Sequence, residues 1–111
     1  MIKVAIVGAT GIVGQQAIVS LQNHPWFAIT KLAASERSAG KTYAQALKGA
    51  DGASHWWCPE ELPAEIGQMV VENAAEFDPE SVDLIFSTVE ASVAKELEPK
   101  WAKTTPVIST A

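Results

Sequence analysis

The segment Lys3-Val4-Ala5-Ile6-Val7-Gly8-Ala9-Thr10-Gly11-Ile12-Val13-Gly14 constrains the fold of this chain more than any other. A short apolar run with β-branched residues reads as a strand buried on both faces, as in a parallel sheet. It passes directly into three glycines. Beyond them Val13, Ala17, Ile18 and Leu21 recur at helical spacing from Gly11 to Asn23, while Gln15, Gln16, Ser20 and Gln22 fall elsewhere. Pro25 disfavours helical geometry in the residue before it, so the helix should stop near His24. A buried strand, a glycine turn and a helix joined this closely present backbone N–H groups at a helix N-terminus with no side chains in the way. A pyrophosphate requires that arrangement. Gly8 suits the tight turn, Gly11 lets backbone approach the phosphates, Gly14 lets helix and strand pack closely, and Thr10 adds a hydroxyl donor. The spacing is G-x-x-G-x-x-G, a departure from the commoner G-x-G-x-x-G.

Further along, Phe27 to Ala34 is a second strand and Ser35 opens a polar turn. Glu36 to Pro63 contains Gly40, Gly49, Gly52, Pro59 and Pro63, and reads as a long connection with one helical turn around Tyr43 to Lys48. Met69-Val70-Val71 predicts a third strand and Val82 to Ser87 a fourth. Ala91 to Lys103 predicts a helix with Val93, Ala94, Leu97 and Trp101 on one face and lysines near its end, and Pro106 to Ser109 a fifth strand. This alternation is the grammar of an α/β, Rossmann-type doubly wound parallel sheet, with strand order 3-2-1-4-5. Residues 1–111 form one domain, and 48% hydrophobic residues are enough to give it a core.

The end of the second strand selects the dinucleotide. A carboxylate about 20 positions past the glycines would hold the ribose hydroxyls of NAD, and Glu36, 22 past Gly14, is placed for that. Arg37, the only arginine in the chain, follows it, with Ser35 and Ser38 on either side and Lys41 beyond. Arginine offers a fork to a 2′-phosphate, and the two serines can donate to it. On this reading Glu36 must turn away, and the cofactor is NADP. Glu36 keeps NAD open. Ser87-Thr88-Val89 follows the fourth strand at its carboxyl end, where such sheets bind ligands. The turn is expected to run beside the cofactor through backbone groups, or else Thr88 caps the next helix.

Other chemistry is poorly supported. Cys58 sits in Trp56-Trp57-Cys58-Pro59 with only His55 as a nearby base, and it lacks the cation or helix N-terminus that activates a nucleophile. His24 and His55 have no partners at metal-ligand spacing, so no metal site is expected. Trp26, Trp56 and Trp57 read as core or interface residues, and Glu72 to Glu80 as a solvated face. A net charge of −5 argues against nucleic acid and anionic membranes. One cysteine, no signal peptide and no apolar run long enough to span a bilayer point to the cytoplasm.

Gly8 to Gly14, then Asn23-His24-Pro25-Trp26-Phe27, then Ala34-Ser35-Glu36-Arg37-Ser38-Ala39-Gly40-Lys41 together resemble aspartate-semialdehyde dehydrogenase of the archaeal and fungal branch. Val82 to Ser87, Glu98-Pro99 and Val107-Ile108-Ser109 continue the resemblance along the whole chain. It implies NADPH-dependent reduction of aspartyl phosphate through a cysteine thioester, in amino-acid biosynthesis. It also implies that Thr10, Gly11, Ile12 and Val13 cradle the pyrophosphate, and that Arg37 and Ser38 with Ser35 hold the 2′-phosphate. The nucleophilic cysteine and acid–base histidine of that family match nothing here. The chain therefore reads as roughly the first third of such an enzyme, without catalytic residues and inactive alone, the parent forming a homo-oligomer through its other domain. Marginal stability is expected, since a sheet face and edge would lie exposed. The family pattern ends in Ser-Asn-Ala, whereas this chain reads Ser109-Thr110-Ala111. Malonyl-CoA reductases share the glycine loop and the His-Pro segment and remain an alternative. Short-chain reductases and epimerases are a second, although their Tyr-x-x-x-Lys pair is not formed by Tyr43, which has Leu47 four positions on. A stand-alone NADP-binding module is the third.

Overall fold

The computed structural model describes residues 1–110, so Ala111 of the Ser-Thr-Ala ending lies outside the described residues. Five strands form one parallel sheet: β1 (Ile2–Val7), β2 (Phe27–Ala34), β3 (Val71–Asn73), β4 (Leu84–Ser87) and β5 (Val107–Ser109). Their order is β3-β2-β1-β4-β5, as expected from the alternation of elements. Four helices accompany them: α1 (Ile12–Ser20), α2 (Tyr43–Ala46), α3 (Ala64–Gly67) and α4 (Ala91–Trp101). Two 3-10 turns, Ala74–Glu76 and Pro79–Ser81, lie between β3 and β4.

β1 is central, and its last four residues, Val4 to Val7, are fully buried. Their side chains alternate between two cores, as the period of a strand demands. Val4 and Ile6 pack with Ile18 of α1, Leu32 and Tyr43 on one face. Ala5 and Val7 pack with Ile85, Phe77, Leu97 and Trp101 on the other. Burial on both faces explains the unbroken apolar run. The pairings Val7↔Ala33 and Val7↔Ser87 bring the carboxyl ends of β1, β2 and β4 together at one rim. β3 and β5 are the outer strands, and Ile108 of β5 is half exposed.

Several boundaries differ from the sequence reading. α1 ends at Ser20, not near His24, because Asn23 adopts a left-handed conformation (φ 56°) and His24 N–H turns back to the Leu21 carbonyl. β3 begins at Val71. Met69 and Val70 are apolar but bind the α2 region instead: Tyr43 N–H donates to Met69 O, and Thr42 bridges Val70 in antiparallel fashion. β4 begins at Leu84, since Asp83 is engaged in reciprocal hydrogen bonds with the backbone of Lys3. α4 ends at Trp101, whose carbonyl accepts from both Thr104 and Thr105 N–H. The helical turn at Tyr43 stops at Ala46 and starts from a capping box formed by Thr42 and Gln45. The acidic stretch after β3 is not a uniform solvated face, because Ala74 and Phe77 are buried and Asn73 and Asp78 cap the 3-10 turns.

Candidate dinucleotide site

The glycine loop lies at the rim where β1, β2 and β4 end. Gly8 has φ +83°, and a Cβ there would lie 2.7 Å from Thr88 Oγ1. A Cβ on Gly14 would collide with the Gly8 carbonyl oxygen and lie 2.8 Å from Ala9 Cα. These two glycines are therefore required by the protein's own packing. Gly11 is different. Its conformation is extended (φ −78°, ψ 166°), and the one neighbour a Cβ would meet is Gly8 O at 3.7 Å, an ordinary contact. The fold does not demand glycine at this position, and Gly11 borders open space at the start of α1.

As the N-cap of α1, Gly11 supplies no side-chain oxygen. The N–H groups of Ile12, Val13 and Gly14 belong to the first turn and have no intrahelical acceptor. Ile12 and Val13 are partly exposed there. The α1 N-terminus is thus a set of outward donors with the positive end of the helix dipole behind them.

Thr10 and Ser35 connect two hollows along this rim. The smaller, about 390 Å³, is bounded by the glycine loop, Ala34, Ser35 and the turn after β4, including Thr88 and Val89. The larger, about 620 Å³, joins Thr10 to Ser35, Arg37, Ser38 and Lys41. The sequence-predicted residues Thr10, Ser35, Arg37 and Ser38 therefore meet at one cleft. Glu36 is exposed and does not line it. The turn after β2 is tight: Ser38 and Ala39 N–H both reach Ser35 O, and Ser38 is nearly buried.

Ser87 is not brought to the cleft. It is buried, its Oγ has no hydrogen-bond partner among the described residues, and its carbonyl accepts from Thr110 N–H and Oγ1. The Thr88 hydroxyl donates to Val7 O at 2.8 Å and lies 3.1 Å from Gly8 O, and its N–H donates to Val7 O. Thr88 thus ties the end of β4 to the glycine loop. It does not cap α4, whose N-cap is Glu90. Of the backbone groups in the turn expected to run beside the cofactor, the Ser87 carbonyl and Thr88 N–H bond within the protein, while Thr88 and Val89 line the smaller hollow.

Two residues hold the site together without standing out in the sequence. Gln15, read as a polar position away from the core, is fully buried. Its Nε2 donates to Thr10 O (3.1 Å) and His55 O (2.8 Å), and its Oε1 accepts from Trp57 N–H (2.8 Å). It fastens the 55–57 segment to the glycine loop. Tyr43 is also fully buried, and its hydroxyl donates to Ala9 O at 2.6 Å. Burial, then the nearby Cys58, pushes its pKa well above the ordinary value near 10, so the phenol remains a neutral donor. The only signal for either was a polar or aromatic residue at a spacing that also suits an exposed face.

Trp57 and Trp26 are exposed, whereas Trp56 packs edge-on to Tyr43. Cys58 is partly exposed, and desolvation together with Glu60 pushes its thiol pKa up, opposite to an activated nucleophile.

The semialdehyde dehydrogenase NAD-binding domain family matches residues 3–111. The chain belongs to that family. Aspartate-semialdehyde dehydrogenase of Methanothermobacter thermautotrophicus is 41% identical over 114 aligned positions, covering all of this chain and 30% of the relative. The enzyme of the same name from Schizosaccharomyces pombe is 42% identical over 96% of the chain and 28% of its own length. A crystal structure of the Candida albicans aspartate-semialdehyde dehydrogenase with NADP superposes with a TM-score of 0.86 at 36% identity, over 100% of this chain and 30% of that one. The Vibrio cholerae aspartate-semialdehyde dehydrogenase II, solved with ASA, superposes at 0.70 and 28% identity, over 100% and 31%. The chain thus spans about 30% of the length of these relatives. Among the described residues, no helix is long and apolar enough to cross a membrane.

Proposed function

We propose that residues 1–111 are the NADP(H)-binding part of an aspartate-semialdehyde dehydrogenase, with the residues that transform the substrate outside this segment. The observation that carries the reading is the convergence of Thr10 from the glycine loop with Ser35, Arg37 and Ser38 from the end of β2 at one cleft. The Candida relative, solved with NADP, supports it through its matching fold and sequence. Gly11 leaves room for a phosphate against the first turn of α1, where the N–H groups of Ile12 and Val13 donate. Arg37 and Ser38, with Ser35, engage the 2′-phosphate, and Glu36, exposed and outside the cleft, does not oppose it. When bound, NADPH would supply the hydride for the net reduction of aspartyl phosphate to the aldehyde, with release of phosphate. This segment's residues bind and orient the dinucleotide. Without the substrate-handling part the chain is expected to turn over nothing, and the parent enzyme to assemble as a homo-oligomer through that part.

Titration of the chain with NADP+ and NAD+ tests the reading. NADP+ should bind more tightly. Arg37→Ala should weaken it about 10- to 100-fold, the worth of a charge-assisted contact to phosphate, and leave NAD+ unchanged. Equal binding of both dinucleotides, indifferent to Arg37→Ala but lost with Glu36→Ala, would make Glu36 the ribose ligand and the cofactor NAD.

A further inference from the structure

The larger cleft has a second wall, contributed by the connection after α2. Lys48, Gly49, His55 and Trp57 line it together with the residues of the β2 turn. The wall is built, although most of its residues are exposed. Lys48 bridges Ser54 in antiparallel fashion, Gly49 N–H donates to Ala53 O (2.8 Å), and His55 N–H donates to Leu47 O (2.8 Å). The His55 imidazole rests against Gly49, where a Cβ would lie 2.8 Å from Nε2, and it stacks on Trp57 with ring centroids 5.6 Å apart and planes 12° apart. Gln15 then secures both His55 and Trp57 to the glycine loop.

The charge distribution gives this wall its meaning. The chain is acidic, with 13 Asp and Glu against 8 Lys and Arg. Yet Arg37, Lys41 and Lys48 all line this cleft, and among the described residues no carboxylate does. Arg37 and Lys41 belong to the segment after β2 and Lys48 to the segment after α2, so an anion in the cleft meets positive charge from two separate stretches of the chain. Asp51 does not line the cleft, but its Oδ1, which accepts from Ala53 N–H at 2.9 Å, lies 3.1 Å from where a Cβ on Gly49 would stand, a point His55 Nε2 approaches to 2.8 Å.

We propose that Lys48, with His55 beside it, is the second half of a phosphate clamp, and that Lys48 is a specificity-determining residue for NADP over NAD. This rests on the proposed function, since it takes the adenosine end of the dinucleotide to lie in this cleft. The 2′-phosphate is held between Arg37 and Ser38 on one wall and Lys48 and His55 on the other. NAD, with a hydroxyl at that position, draws on neither half.

The test compares the wild-type chain with Lys48→Ala, Lys48→Glu, His55→Asn and Arg37→Ala, each shown to be folded by circular dichroism, in titrations with NADP+ and NAD+. Lys48 is exposed, so its replacement leaves the core untouched. Lys48→Ala should weaken NADP+ about tenfold, Lys48→Glu more, and His55→Asn a few-fold, with NAD+ unchanged. Wild-type NADP+ affinity in Lys48→Glu would overturn the clamp, and if Arg37→Ala still abolished the NADP+ preference, the cofactor reading would survive it. Equal weakening of both dinucleotides by Lys48→Glu would also overturn it, marking Lys48 as a general contact. If the folded wild-type chain bound neither dinucleotide, the clamp would fall together with the reading beneath it.

Discussion

At the scale of single residues, the three loop glycines have different physical reasons. Gly8 and Gly14 lack side chains because backbone and Thr88 occupy the space, whereas Gly11 lacks one beside open space. Substitution should separate the two reasons. Gly14→Ala forces the start of α1 away from the end of β1 and should cost about 3 kcal/mol or more, as backbone overpacking does. Gly11→Ala should change stability by less than about 1 kcal/mol, because its extended conformation suits any residue. It should nevertheless weaken dinucleotide binding at least about tenfold, since a methyl group would stand where phosphate approaches the N–H groups of α1. Urea denaturation and dinucleotide titration on the two variants check this. A Gly11→Ala protein that binds normally would remove the phosphate from that position. The sequence reading assigned Gly8 to the tight turn and Gly14 to close packing of helix and strand, and the structure agrees at both positions. The distinction depends on what each missing Cβ would touch.

At the scale of elements, the strands were legible where apolar runs coincide with burial on two faces. β1 is such a case over Val4 to Val7 and β2 over Leu32 to Ala34, and the bounds Phe27 to Ala34 were read to the residue. Met69 and Val70 misled because apolar character reports burial or packing and not the identity of the partner. Their backbone pairs with the α2 region before the chain reaches Leu32 of β2. Gln15 misled for the opposite reason: its polarity suggested solvent, but its amide is consumed by three backbone groups. Arg37, Ser38, Ser35 and Thr10 were legible because they sit at fixed offsets from strand ends. The second wall of the cleft was not, since the connection after α2 has no periodicity to place it. Gln15→Met keeps the side-chain volume but orphans Thr10 O, His55 O and Trp57 N–H. It should destabilise the chain by about 2–4 kcal/mol, since groups near the core lose their partners. It should also release the 55–57 segment, so that amide exchange at Trp57 accelerates while exchange in β1 follows global stability. Unchanged protection at Trp57 in Gln15→Met would show that the segment is held by packing of Trp56 on Tyr43 instead.

At the scale of the whole molecule, the distribution of charge opposes its total. A net charge of −5 repels an anionic dinucleotide at long range, while Arg37, Lys41 and Lys48 attract it once it enters the cleft. These cations are at a cleft mouth open to water, so salt screens them: the Debye length falls to about 10 Å at 0.1 M ionic strength. NADP+ carries an additional phosphate that faces this cluster, and NAD+ does not. The affinity for NADP+ should therefore fall more steeply with salt than that for NAD+, and the preference between them should narrow. Binding isotherms for both dinucleotides between about 20 and 300 mM ionic strength measure the difference directly, the range being set by Debye lengths above and below the width of the cleft. Lys48→Ala and Arg37→Ala should each flatten the NADP+ dependence and leave that of NAD+ in place. Parallel salt dependences in the wild-type chain would mean that the 2′-phosphate points to solvent. The gathering of cations at this rim would then serve some other anion.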